Sequence, residues 1–143
     1  PVGIKTQDRW SIVASGTVSD GEASLELIGA IGNTFALVFD EKNNRGIDTI
    51  IEARRSLIYA NDPEAICEET RELDPVNFLR RGELSCVASG SSEKILWRSV
   101  VVEDELRTYE LIGETRAAKS RFAAAEGSLN RLAAGFGLLR GKQ

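Results

Sequence analysis

The amino-acid sequence predicts an α+β fold in which antiparallel strands from two strand-rich halves are joined by helices and closed by a long amphipathic helix, in the order βββ-helices-βββ-α. Three observations carry that prediction. The first forty residues alternate in hydropathy with period two and are broken by turn dipeptides. The middle shifts to helical spacing, with Asp-Pro pairs at Asp62-Pro63 and Asp74-Pro75. The last thirty residues carry an apolar stripe at heptad spacing.

In the first segment, Trp10, Ile12, Ala14, Gly16 and Val18 alternate with Ser11, Val13, Ser15 and Thr17, the pattern of a half-buried strand. Asp20-Gly21 follows, a pair suited to the positive φ values of a tight hairpin. A second strand runs through Ala23, Leu25, Leu27, Gly29 and Ile31. After the turn signal Gly32-Asn33, a third runs through Phe35, Leu37 and Phe39. A three-stranded antiparallel meander is expected. Its core face is assigned to Trp10, Leu25, Leu27, Phe35, Leu37 and Phe39, joined by Trp97 in one sheet-centred core.

Beyond Asn43-Asn44-Arg45-Gly46, Thr49 and Glu52 have capping-box spacing, and Ile50, Ile51, Leu57 and Ile58 share one helical face. Asp62-Pro63-Glu64 reads as a second helix start, with Asp as the cap and Pro in the first turn. Asp74-Pro75 repeats the device, and Gly82 suits the end of a short helix reaching Arg81. Strand patterns return at 84–89 and 95–102. Residues 95–102 are apolar on both faces, as in a central strand covered on each side. Residues 106–112 read either as a strand or as the beginning of the last helix.

The last helix is expected from Glu114 to about Leu139. Ala118, Phe122, Ala125, Leu129, Leu132, Phe136 and Leu139 recur at spacings of four and three. Gly127, Gly135 and Gly137 weaken it in isolation, by up to about 1 kcal/mol each relative to Ala, so it needs a packed surface.

The 143 residues match the size of one domain, and 1–143 is read as such. An internal pseudo-repeat is suggested over 9–72 and 83–140: Ser11-Ile12-Val13-Ala14-Ser15-Gly16 matches Ser85-Cys86-Val87-Ala88-Ser89-Gly90 at five of six positions, and Glu26-Leu27-Ile28-Gly29 returns as Glu110-Leu111-Ile112-Gly113.

Composition narrows function mainly by exclusion. The chain contains no His, which removes Ser-His-Asp and Cys-His catalysis and most zinc and non-haem iron sites. Neither a dinucleotide-binding nor a P-loop glycine motif occurs, so no cofactor or metal is expected. The acidic run from Asp62 to Asp74 lacks the Asp-x-Asp-x-Asp-Gly spacing of a calcium loop and reads as a solvated helix face. The pI near 5.0 argues against nucleic acid. No apolar run reaches the length that spans a bilayer.

Charge is divided unevenly. Residues 114–143 carry six basic and two acidic side chains, while the rest carries twelve basic and twenty acidic. A basic amphipathic helix presenting Arg116, Arg121, Phe122, Leu129, Arg131, Leu132, Phe136 and Leu139 could dock on a partner or touch a membrane surface. Alternatively, it covers the chain's own sheet. Cys67 and Cys86 have a spacing that permits one disulfide, closing a loop of about 20 residues and contributing about 3 kcal/mol. Their state depends on whether the chain is cytoplasmic or exported, which is left open. The expected function is a non-enzymatic protein-binding or assembly module, using a sheet face, a sheet edge or the terminal helix toward another protein or a second copy. A structural subunit of a larger assembly is the alternative, and a carboxylate- or Cys-dependent enzyme the third.

Overall fold

The computed structural model describes residues 2–6, 8–16, 22–42, 45–74 and 79–138. In chain order the elements are β1 (Val2–Ile4), β2 (Trp10–Ser15), β3 (Ala23–Gly29), β4 (Asn33–Lys42), α1 (Ile47–Asn61), β5 (Ile66–Asp74), β6 (Leu79–Ser89), β7 (Glu93–Glu103), β8 (Arg107–Ala118), α2 (Phe122–Ala134) and β9 (Phe136–Leu138). Seven strands form one antiparallel sheet in the order β2-β3-β4-β8-β7-β6-β5. β1 and β9 pair separately as a short antiparallel ribbon. The meander β2-β3-β4 joins the second strand group through β4 and β8, in register from Asn33↔Arg116 to Lys42↔Arg107.

Each face of the sheet carries one helix and its own core. On one face Phe122, Leu129, Leu132 and Ala133 of α2, with Phe136 just beyond it, pack on Leu27, Ala36, Val38, Leu96, Val100, Val102, Tyr109 and Leu111. On the other, Ile47, Ile50, Ile51 and Ile58 of α1 pack on Leu84, Cys86, Ala88 and Val101. β7 feeds both cores, which is why its sequence is apolar on both sides. Two strand glycines seat the helices. A Cβ at Gly82 would lie 2.6 Å from Ile51 Cδ1 of α1, and one at Gly113 would lie 2.5 Å from Leu129 Cδ1 of α2. Arg81 ties down the end of α2 by donating to the carbonyls of Ala133 (3.0 Å), in its last turn, and Phe136 (2.7 Å), just beyond it.

The meander and the α+β class agree with the sequence reading; several local assignments do not. Helix α1 begins at Ile47 with Gly46 at its cap position and no side-chain cap, so Thr49 and Glu52 lie inside its first turns. Asp62-Pro63-Glu64 starts no helix. The Asp62 carboxylate accepts the Glu64 N–H and its carbonyl accepts the Ala65 N–H, which makes the segment a turn that closes α1. The acidic run that follows is strand β5, and Gly82 lies within strand β6. Long-range pairing to β6 has overridden the helix-favouring composition of these residues. Pro75 lies outside the described residues, as do Asp20-Gly21 and Leu139.

Residues 107–118 are strand, so the last helix starts at Phe122 and not at Glu114, and it stops at Ala134. On β4 the expected face is reversed: Thr34, Ala36 and Val38 are buried under α2, whereas Phe35 is 38% exposed and Leu37 half-buried. Alternation names the residues that share a face but does not choose the face. Here the small Ala36, level with Gly113, lies beneath Leu129. The single expected core is also two, with Trp10 against the α2 core and Trp97 against the α1 core. The first sequence match pairs β2 with β6, while the second pairs β3 with β8.

Candidate functional site

The two ends of the sheet differ in kind. β2, an outer strand, spans Trp-Ser-Ile-Val-Ala-Ser and contains no charged residue. Its ladder with β3 shifts register between Ile12 and Ala14, a bulge that bends the strand. Ile12 is 67% and Val13 55% exposed. An outer strand leaves one row of backbone N–H and C=O groups without ladder partners, and an apolar, uncharged one is a template for pairing with another chain.

Beside this edge lies a groove of about 400 Å³ on the α2 face. Ile12, Trp10, Leu25 and Leu27 form its floor, Leu132 and Phe136 its inner wall, and the β1 segment at Gly3-Ile4 its rim. It lies beyond α2, which packs chiefly over β7 and β8, between the meander and the β1 segment. Its polar atoms are mostly engaged. Arg131 of α2 donates from Nε (2.7 Å) and Nη2 (2.8 Å) to the Asp8 carboxylate, which holds Asp8 below the usual aspartate range. Thr6 hydrogen-bonds Asp8 at both the side chain and the backbone N–H, and Ser24 Oγ donates to the Val38 carbonyl. The Trp10 indole N–H is buried with no acceptor among the described residues.

At the opposite end, β5 exposes Glu68, Glu69 and Glu72 along its length, together with Ile66 and Leu73. Arg55 pairs with Glu69, and Arg71 pairs with Asp48 and Glu69. Cys67 and Cys86 stand directly opposite each other in register, with Cα atoms 4.0 Å apart, and are joined by a disulfide that fastens β5 to β6.

Most polar groups buried in the sheet have partners in a way that suits structure, with Arg98 Nε an exception among the described residues. Glu110, 3% exposed, accepts two hydrogen bonds from Arg54 (2.7 and 2.9 Å) and one from Ser99 (2.9 Å). The bonds to Glu110 push the Arg54 guanidinium pKa up. Trp97 Nε1 donates to Glu114. Thr34 Oγ1 donates to the Ile31 carbonyl, so in the Thr34–Thr115 contact the proton comes from Thr115. Arg98 is shifted down by burial although it reaches Glu83 at 3.0 Å. Among the described residues no three acidic or Cys side chains converge as metal ligands.

The residues singled out on the terminal helix are dispersed. Phe122, Leu129, Leu132 and Phe136 are buried against the chain's own sheet, which is the intramolecular one of the two placements expected for the stripe. Arg116 lies on β8, Arg121 just ahead of α2, and Arg131 is held by Asp8; they form no common basic face. The β2 edge escaped the sequence reading, although its signal was present as the absence of charge from Trp10 to Ser15. Among the described residues no helix is long and apolar enough to cross a membrane.

No protein-family model matches the chain, and no curated protein matches it by sequence. Among solved structures it is similar to the solution structure of cyanobacterial PsbP (CyanoP) from Synechocystis sp. PCC 6803, with a TM-score of 0.54 and 10% identity. The alignment covers 91% of this chain and 82% of that one. At this identity the likeness shows the fold alone, and the α+β sheet of this chain is PsbP-like in fold.

Proposed function

We propose that the chain is a non-enzymatic protein-binding module whose contact surface is the outer edge of β2 with the groove beside it. The observation that carries this reading is the uncharged edge strand with Ile12 and Val13 exposed. A segment adding to β2 would gain backbone hydrogen bonds along the edge. Every second side chain would point to the α2 face, beside the groove floored by Trp10, Ile12 and Leu25. The groove's apolar lining and few polar atoms suit a protein segment more than a charged small molecule. The buried carboxylate Glu110 is committed to Arg54 and Ser99, which favours a structural role for it over acid–base chemistry. The Cys67–Cys86 bond suits an oxidising compartment.

The test is capture from native extract with three tagged proteins: wild type, Val13→Lys and Ile66→Lys, the last a matched charge on the other edge. Both variants should retain the wild-type circular dichroism, since both sites are well exposed. A partner held by wild type should be lost with Val13→Lys and kept with Ile66→Lys. A partner retained equally by Val13→Lys would overturn the assignment of β2.

A further inference from the structure

We infer that the occupant of the β2 edge is β2 of a second copy, paired antiparallel about a twofold axis so that two seven-stranded sheets become one. This rests on reading β2 as the contact edge and goes beyond it by naming the partner. The first argument is charge. Each copy carries a net charge of −4, and the β5 edge exposes Glu68, Glu69 and Glu72 against one basic residue, Arg71, so two β5 edges would bring excess like charge together. Trp10–Ser15 contains no charged residue, so two β2 edges oppose no like charges. β2–β2 pairing is also closed, because a twofold interface uses the same patch on both copies, whereas β2 on β5 would leave an edge free at each end and build an open chain.

Geometry then selects the register. Directly opposed residues in an antiparallel ladder place their side chains on the same face. A twofold axis that continues the sheet must stand perpendicular to it and keeps each face on its own side. Opposed residues therefore belong to the same alternation set, and one residue must oppose itself. Ile12 lies on the α2 face opposite Leu27, ahead of the bulge, and is 67% exposed, more than Val13 beside it. Centred there, Ile12 meets Ile12 of the second copy. Ile12 also forms part of the lining of the groove. In the pair, Ile12 of the second copy stands beside Ile12 of the first, next to the groove that it lines.

Sedimentation velocity on the purified chain tests this, from low micromolar to near-millimolar concentration, with Ile12→Lys, Ile12→Glu and an equal mixture of the two. The wild type should show a concentration-dependent dimer. Each variant alone places like charges across the axis and should raise the dissociation constant about tenfold or more. The mixture, with Lys opposite Glu, should restore dimer. Circular dichroism on the same samples checks the fold, and Val13→Lys serves as a second edge variant should either Ile12 change disturb it. A wild type monomeric throughout overturns self-pairing; if capture by the β2 edge nevertheless survives in extract, the protein-binding reading stands with another chain as occupant. A dimer indifferent to both Ile12 variants overturns it as well, by placing the interface elsewhere. Failure of the mixture to associate overturns the Ile12-centred pairing.

Discussion

The two outer strands of one sheet face the same physical hazard and meet it differently. β5 is the longer, with nine residues against six for β2, and so offers the longer row of free backbone groups. It carries glutamates on both of its faces and is fastened to β6 by the Cys67–Cys86 disulfide. β2 has no charge and no staple; among the described residues its bulge and short length are what blunt it. The comparison teaches that length alone does not make an edge sticky. What the side chains present to an approaching strand decides, because a desolvated carboxylate opposes pairing more than a few extra backbone hydrogen bonds favour it.

The largest expected effect breaks the comparison by removing the sheet. Leu132→Asp places a carboxylate where the side chain is 0% exposed, between α2 and the β7–β8 face. It should cost several kcal/mol and abolish the cooperative urea transition. A folded Leu132→Asp protein that loses only association would mean that α2 serves a partner after all. The next effect isolates the staple. Reduction of the disulfide, or Cys67→Ala, should lower unfolding free energy by about 3 kcal/mol through the loop it closes. It should leave association through β2 unchanged, as read by denaturant melts and sedimentation. The smallest effect on stability is the sharpest test of the edges. Glu68→Val with Glu72→Val should shift stability by only about 0.5 kcal/mol, because both side chains are exposed. The change should nevertheless give β5 a new tendency to pair, seen as species larger than a dimer. If association does not change, charge is not what keeps β5 single.

The legible features were those set by short-range pattern. Period-two alternation with turn dipeptides named the strands of the meander, and the apolar run from Ile95 to Val102 marked a strand covered on both faces. The stripe Phe122, Leu129, Leu132 marked a helix that had to be buried somewhere, since that many apolar side chains on one face do not stay in water. The pair Cys67 and Cys86 was visible as a loop length, but only the ladder brings the two directly opposite each other and within reach of a bond.

The remainder turned on partners far along the chain. The sequence Ile-Cys-Glu-Glu-Thr-Arg-Glu-Leu-Asp is composed for a helix and became a strand because β6 offers it a complete ladder. Glu114 and Arg116 look like the start of the last helix and instead extend β8, whose pairing with β4 and β7 continues through them. On β4 the sequence by itself determined that Phe35, Leu37 and Phe39 share one face and Ala36 and Val38 the other. Which of the two turned inward is seen only in the packing of α2, whose core takes in Ala36 and Val38, with Ala36 level with the Gly113 on which Leu129 sits. The openness of β2 belongs to the same class: the absence of charge is written in six consecutive residues, but only strand order places them at the end of the sheet, where a missing charge has a consequence.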